Sequence, residues 1–262
     1  MSGLKTVCSY GEFAKIVKAE RRFIFDGKAG DFLAAIRAAS QNRTYLVKAG
    51  RRLFRAQIDS QFVEDEDGSD YECPSSEVRM NPDPKHIKSS GRANPPGIAY
   101  LYLANSKETA LAEMRPWLGE SLTIALFETV KDLNLVICHV GLAKTADALV
   151  KGIPAKNKVE QRVWDAISHA FSSPVNQKDQ ESDYLPTQIL AERFKADGFD
   201  GFVYRSGLER GSNVVLFDRD SAKSILRAAY TVKKVRYDFE GIDNWVFSKA
   251  GRQIREIHTE TP

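Results

Sequence analysis

The sequence holds little cysteine or histidine, and it has no long apolar run, no internal repeat and no low-complexity tract. Its cysteines, Cys8, Cys73 and Cys138, are widely spaced and odd in number, which argues against a disulfide framework and against the close pairing of a zinc site. The histidines His86, His139, His169 and His258 are equally scattered, so no metal site is expected and these groups read as packing or surface residues. Without a metal, any catalysis falls to side chains, backbone or the substrate itself. The longest apolar runs, such as Ile98 to Ala104, are far shorter than the roughly 20 residues of a membrane-spanning helix. No basic start followed by an apolar stretch reads as a signal peptide, so the expectation is a cytoplasmic protein with no membrane partner.

What is present is ordinary globular composition, 42% apolar and 28% charged over 262 residues, enough for one large domain or one domain with an extension. The net charge of +3 hides an asymmetry. Met1 to Arg55 carries twelve Lys/Arg against four Asp/Glu, a local +8 that leaves −5 for the rest. Such a segment can attract nucleic acid, an acidic partner or a polyphosphate. Its charges are spread over helical surfaces without interleaved aromatics, so they read as a solvated face, and direct nucleic-acid binding is not expected.

Phe13, Ile16, Val17 and Phe23, then Phe32, Leu33, Ile36 and Ala39, fall at helical spacing on either side of Asp26-Gly27 and predict a helical hairpin. Residues 1–50 are accordingly assigned to an N-terminal helical extension that packs on the body, 51–240 to the main domain and 241–262 to a tail. Arg52 to Gln57 reads as a first strand. From Ser60 to Gly97 runs a long polar stretch with five prolines and the acidic run 64–67, expected to be either a lid or partly disordered. Ile98 to Ala104 alternates as a strand. Asn105 with Glu108 resembles a capping box opening a helix to Arg115. Leu122 to Glu128 and Leu133 to Val140 read as strands. Val159 to Phe171 reads as a helix, and another starts at Pro186 and closes at Gly198. Short strands follow at 201–205 and 213–217, then an extended stretch at 228–239. Strands and helices without a regular βαβ rhythm predict an α+β fold.

Three features can carry chemistry. Arg92, in Gly91-Arg92-Ala93-Asn94-Pro95-Pro96-Gly97, sits in a stiffened loop from which a guanidinium can fork onto phosphate oxygens, although a solvated arginine on a surface turn fits the spacing as well. Glu113 borders the apolar stripe of its helix, where a carboxylate must be paired or functional; a salt bridge to Arg92 or Arg55 and a catalytic role both satisfy that demand. Ser206 closes a strand near no histidine and in no G-x-S-x-G elbow, so it reads as a hydrogen-bonding group rather than a nucleophile.

Taken in order, Gly91-Arg92-x-Asn94-Pro95-x-Gly97, Tyr100 to Ala104, Thr109 to Glu113, Leu185-Pro186-Thr187-Gln188, Gly198-Phe199-Asp200-Gly201, Ser206 and Asn213 to Phe217 resemble the RES family. Leu53-Phe54-Arg55 looks like its opening strand. Ala93 departs from the aromatic residue common there, and the helical hairpin and acidic stretch exceed the compact members. The resemblance implies an ADP-ribosyltransferase-like split β-sheet with flanking helices around an NAD⁺ cleft, and cleavage of the nicotinamide–ribose bond by phosphorolysis or hydrolysis. It implies no cofactor: NAD⁺ is the substrate and inorganic phosphate an optional co-substrate. It also implies a toxin neutralised by a helix-turn-helix antitoxin, and leaves a homodimer open.

In that scheme Arg92, Tyr102 and Glu113 are catalytic, while Arg55, Asn94, Ser206 and Asn213 bind substrate. Two other readings stay open: transfer of ADP-ribose to a protein or nucleic acid, and a non-catalytic binding module in which Arg92 and Glu113 form a structural ion pair.

Overall fold

Apolar periodicity at the N-terminus produces α1 (Tyr10–Ala19) and α2 (Gly27–Ser40) in the computed structural model, which describes residues 8–141, 148–173, 180–236, 239, 246–249 and 252–255. A capping box starts α1: Ser9 Oγ accepts from the Glu12 N–H at 3.2 Å, and the Glu12 carboxylate accepts from the Ser9 N–H at 2.9 Å. Phe13, Val17, Phe32, Leu33 and Ile36 are buried, and the Phe13 and Phe32 rings stack at 4.7 Å. Phe23, expected on the same stripe, lies in the linker and is 89% exposed.

The chain continues through β1 (Thr44–Val47), β2 (Arg52–Gln57), β3 (Gln61–Glu64), β4 (Asp70–Cys73) and the single turn α3 (Glu77–Met80). Then come β5 (Leu101–Ala104), α4 (Lys107–Glu113), β6 (Ser121–Thr129), β7 (Leu133–Ile137) and α5 (Ala148–Lys151). The long helices α6 (Lys158–Ser172) and α7 (Gln180–Ala196) precede β8 (Gly201–Arg205), β9 (Ser212–Leu216) and β10 (Ala222–Thr231).

Eight strands form one sheet in the order β1-β7-β8-β9-β5-β2-β6-β10, antiparallel except for β7 with β8. Tyr100 and Tyr102 face a core shared with α1, α2, α6 and α7, while Leu101 and Leu103 face a second core closed by Met80 and Leu149. Between β5 and β2 only one residue pair is in register, Phe54 with Ala104, against six between β2 and β6. The sheet is thus split, and the halves diverge where Arg55 and Tyr102 lie. The fold is α+β, as the element pattern predicts.

Several local expectations differ from the structure. The 60–97 stretch contains a β3–β4 hairpin whose acidic run lies at the turn, with Gly68 at φ 80° and Asp67 accepting from the Ser69 N–H. The cap of α4 is Ser106, accepting from the Thr109 N–H at 3.2 Å, because the Asn105 carboxamide is taken by the Ser212 N–H at 2.6 Å. That helix stops at Glu113 rather than Arg115, and Arg115 takes φ 48°. Pro186 lies inside α7 rather than at its start. One compact unit spans Met1–Val232 and another Lys233–Pro262. Strand β1, placed in the N-terminal extension by sequence, pairs with β7 and belongs to the main sheet. Of the expected tail 241–262, β11 (Val246–Lys249) and β12 (Arg252–Arg255) form an antiparallel hairpin, and the remainder lies outside the described residues.

Arg43, counted among the solvated basic residues by sequence, is 1% exposed. Its Nε donates to Ile137 O at 3.0 Å, and Nη2 donates to His139 O at 2.8 Å and Ile153 O at 3.1 Å. The guanidinium lies 4.8 Å from the Trp164 ring centroid and 3.9 Å from the Glu160 carboxylate. One side chain therefore joins the end of β7, the segment after α5 and helix α6. Among the described residues, no helix is long and apolar enough to cross a membrane.

Candidate active site

Divergence of β2 from β5 opens a cleft of about 320 Å³, within the roughly 300–1,000 Å³ usual for small-molecule sites. Arg55 comes from β2, Tyr102 from β5, Glu113 from the end of α4, Asn213 from β9 and Arg92 from the preceding loop; all five line it. Ser206 and Asn94, the other two residues singled out by sequence, stand behind this wall.

Glu113 ends its helix, where the macrodipole disfavours a negative charge. Two neutral donors hold it there. Ser206 Oγ and Asn213 Nδ2 both donate to Glu113 Oε1, each at 2.7 Å. Ser206 is itself fixed, because its Oγ accepts the N–H groups of Leu208 at 3.2 Å and Glu209 at 3.3 Å. Glu113 Oε2 has no hydrogen bond among the described residues, so one carboxylate oxygen is anchored and the other is uncommitted. Among the described residues, no ion pair joins Glu113 to Arg92 or Arg55.

Arg55 bridges the split by donating from Nη1 to Tyr102 O at 3.1 Å. Burial lowers its pKa to about 10, so the guanidinium remains charged at neutral pH. Its buried Nε has no hydrogen-bond partner among the described residues. A desolvated cation with spare donors is suited to an anionic ligand. Arg92 donates from Nη1 to Ser173 O, and its guanidinium carbon sits 5.7 Å from the Tyr184 ring centroid.

Tyr102 presents its ring to the cleft, but its hydroxyl is engaged: it donates to Asn94 Oδ1 at 2.5 Å and accepts from the Ala93 N–H at 3.1 Å. Asn94 is 4% exposed, and its Nδ2 donates to Ile98 O at 2.7 Å. The carboxamide expected to bind substrate is therefore consumed in locking its own loop. Gly91 completes that lock: a Cβ there would lie 2.6 Å from Asn94 Oδ1 and 2.9 Å from the Tyr102 hydroxyl, so a side chain forces the loop to shift.

Tyr184 and Tyr204 also line the cleft and are absent from the sequence-derived set. Alternation along β8 places Tyr204 two residues from Ser206 and thus on its face, a usable signal. Burial, reinforced by the Glu113 charge, raises the Tyr204 phenol well above its ordinary pKa. It stays neutral. Tyr184 lies on the portion of α7 ahead of Pro186, beyond the expected start of the helix, and carried no signal. Among the described residues no group of three or more His, Cys, Asp or Glu is placed to hold a metal.

No curated protein matches this chain. Among solved structures it is similar to a chain in the crystal structure of the M. tuberculosis MbcT–MbcA toxin–antitoxin complex. That match has 12% identity and a TM-score of 0.39, and covers 75% of this chain and 92% of that one. A likeness this distant does not bear on function. Residues 63–240, more than half the sequence and including the whole of β5, α4, β8 and β9, match the model of the RES domain, and the chain belongs to the RES-domain family.

Proposed function

We propose that this protein cleaves the bond between nicotinamide and ribose in NAD⁺, passing ADP-ribose to phosphate or water. The observation that carries this reading is the Glu113 carboxylate, anchored through one oxygen by Ser206 and Asn213, in a cleft that also holds two arginines. The scissile bond suits such a site. Its electron pair leaves with nicotinamide, which departs neutral, and the ribose C1′ becomes cationic. Glu113 Oε2 stabilises that cation and orients the ribose hydroxyls, as carboxylates do in glycoside cleavage. Arg55 and Arg92 hold the pyrophosphate or an incoming phosphate. Tyr102 contributes an aromatic wall rather than a hydroxyl, because its oxygen is engaged by the 91–94 loop. Ser206 and Asn94 act on the site through Glu113 and that loop, without touching the dinucleotide.

Family membership supports a further part of the proposal: the chain is the toxin of a toxin–antitoxin pair, held inactive in the cytoplasm by a helix-turn-helix partner. Transfer of ADP-ribose to a macromolecule keeps the same site and changes only the acceptor. NAD⁺ labelled in its adenylate half, incubated with the protein and a cell extract, separates the two. The label is expected in small products; label retained on protein or nucleic acid contradicts the choice of acceptor.

A further inference from the structure

Thr187 and Gln188 are polar residues buried on α7, 1% and 8% exposed. Neither lines the cleft. Buried polar side chains require partners, and apart from the Tyr184 carbonyl on their own helix theirs lie in the 91–94 loop. Thr187 Oγ1 lies 2.6 Å from Arg92 O and 2.8 Å from Tyr184 O, so its single hydrogen is shared between them. Gln188 Nε2 donates to Gly91 O at 2.9 Å and Asn94 O at 3.1 Å, which uses both of its hydrogens.

The same loop is also held by the Tyr102 hydroxyl, through the Ala93 N–H and Asn94 Oδ1. The Gly91 N–H closes the turn on Asn94 O at 2.8 Å. Residues 91–94 are thus held by both α7 and β5, and Arg92 alone sends a charged side chain from them into the cleft. Its guanidinium then rests over Tyr184, three residues before Thr187 and on the same face of α7.

We propose that Thr187 and Gln188 are positioning residues that aim Arg92 at the anionic part of the substrate and thereby set substrate affinity rather than the rate of bond cleavage. This rests on the reading of the cleft as an NAD⁺ site. α7 holds the backbone carbonyl of Arg92 through Thr187 and places the Tyr184 ring beside its guanidinium, whose other contact is Ser173 O at the end of α6, so removing the hydroxyl at 187 frees the backbone carbonyl of Arg92 itself.

The test is a double-mutant cycle on the full chain, following nicotinamide release, with melting temperature measured alongside. Thr187→Val keeps shape and removes the donor. It is expected to raise KM for NAD⁺ by about tenfold while leaving kcat within about twofold. Thr187→Ser restores the wild-type KM. In an Arg92→Ala background, where there is nothing left to aim, Thr187→Val changes KM no further. Gln188→Met, taken through the same cycle, gives the same pattern and covers the case in which the valine variant does not fold. An equal rise in KM with and without Arg92, or a lower melting temperature with unchanged KM, overturns the positioning role. Unchanged KM in Arg92→Ala alone instead overturns the reading of Arg92 as a substrate-holding group.

Discussion

Glu113→Gln is expected to lower nicotinamide release by about 10²- to 10³-fold, the range seen when a group that stabilises transition-state charge is removed. The change keeps the shape of the side chain. It replaces an oxygen pair, one member of which accepts from Ser206 and Asn213, by a neutral amide. Amide oxygen can still accept both bonds, so the fold and the aim of the side chain persist. In the proposed mechanism, what disappears is a negative charge that stabilises C1′, which matters only as the sugar becomes cationic. Binding of intact NAD⁺, measured by calorimetry on the variant, should therefore change far less than turnover. Equal losses in both would mean that Glu113 binds substrate uniformly and does not act in the cleavage step. Unchanged turnover would remove it from the chemistry altogether.

Arg43→Met is expected to have the largest effect on stability while leaving the cleft intact. Arginine at this position satisfies carbonyls of Ile137, His139 and Ile153 and compensates the Glu160 carboxylate, which is 6% exposed. Methionine fills similar space but makes none of these bonds, and it leaves the buried Glu160 carboxylate without its cation, held only by the Lys156 N–H at 2.9 Å. Removing one member of a buried pair costs about 3–5 kcal/mol. For a unit of this size each kcal/mol lowers the melting temperature by roughly 2–4 °C, so a fall of about 10 °C is expected. Calorimetric melting of the variant checks it. Turnover per folded molecule well below the transition should match wild type, since Arg43 does not line the cleft. A shift of no more than a degree or two would show that the carbonyls and Glu160 are satisfied in another way.

Much of the architecture was legible because it rests on periodicity. Strand β5 alternates cleanly and sends Tyr100 and Tyr102 to one core and Leu101 and Leu103 to the other. The helices α1, α2 and α6 each carry a plain apolar stripe. Strand β1 escaped because it is four residues at a sheet edge with Leu46 half exposed, too short for alternation to stand out. Hairpin β3–β4 escaped because its residues are almost all exposed, so no buried face imposes a period of two. The cap of α4 slipped by one residue because Asn105 and Ser106 are both good caps, and a tertiary bond from Ser212 decides between them.

The site was legible in its charges and less so in its support. Arg92 stood out by its stiffened loop, Glu113 by its place beside an apolar stripe, and Arg55 as a possible partner and through the family resemblance; all three line one cleft. Asn94 shows where that reasoning stops. A loop asparagine that grips a substrate and one that locks its own loop have the same sequence, and only the short contact to the Tyr102 hydroxyl tells them apart. Arg43 was hidden for a related reason: its acceptors are backbone carbonyls, which leave no residue signature.

Product analysis decides whether the protein cleaves NAD⁺ at the nicotinamide bond. The purified chain is incubated with NAD⁺, with and without inorganic phosphate, and the products are resolved by chromatography and mass. Free nicotinamide is expected, together with ADP-ribose phosphate if phosphate is the acceptor or ADP-ribose if water is. Intact NAD⁺ in both samples would contradict it.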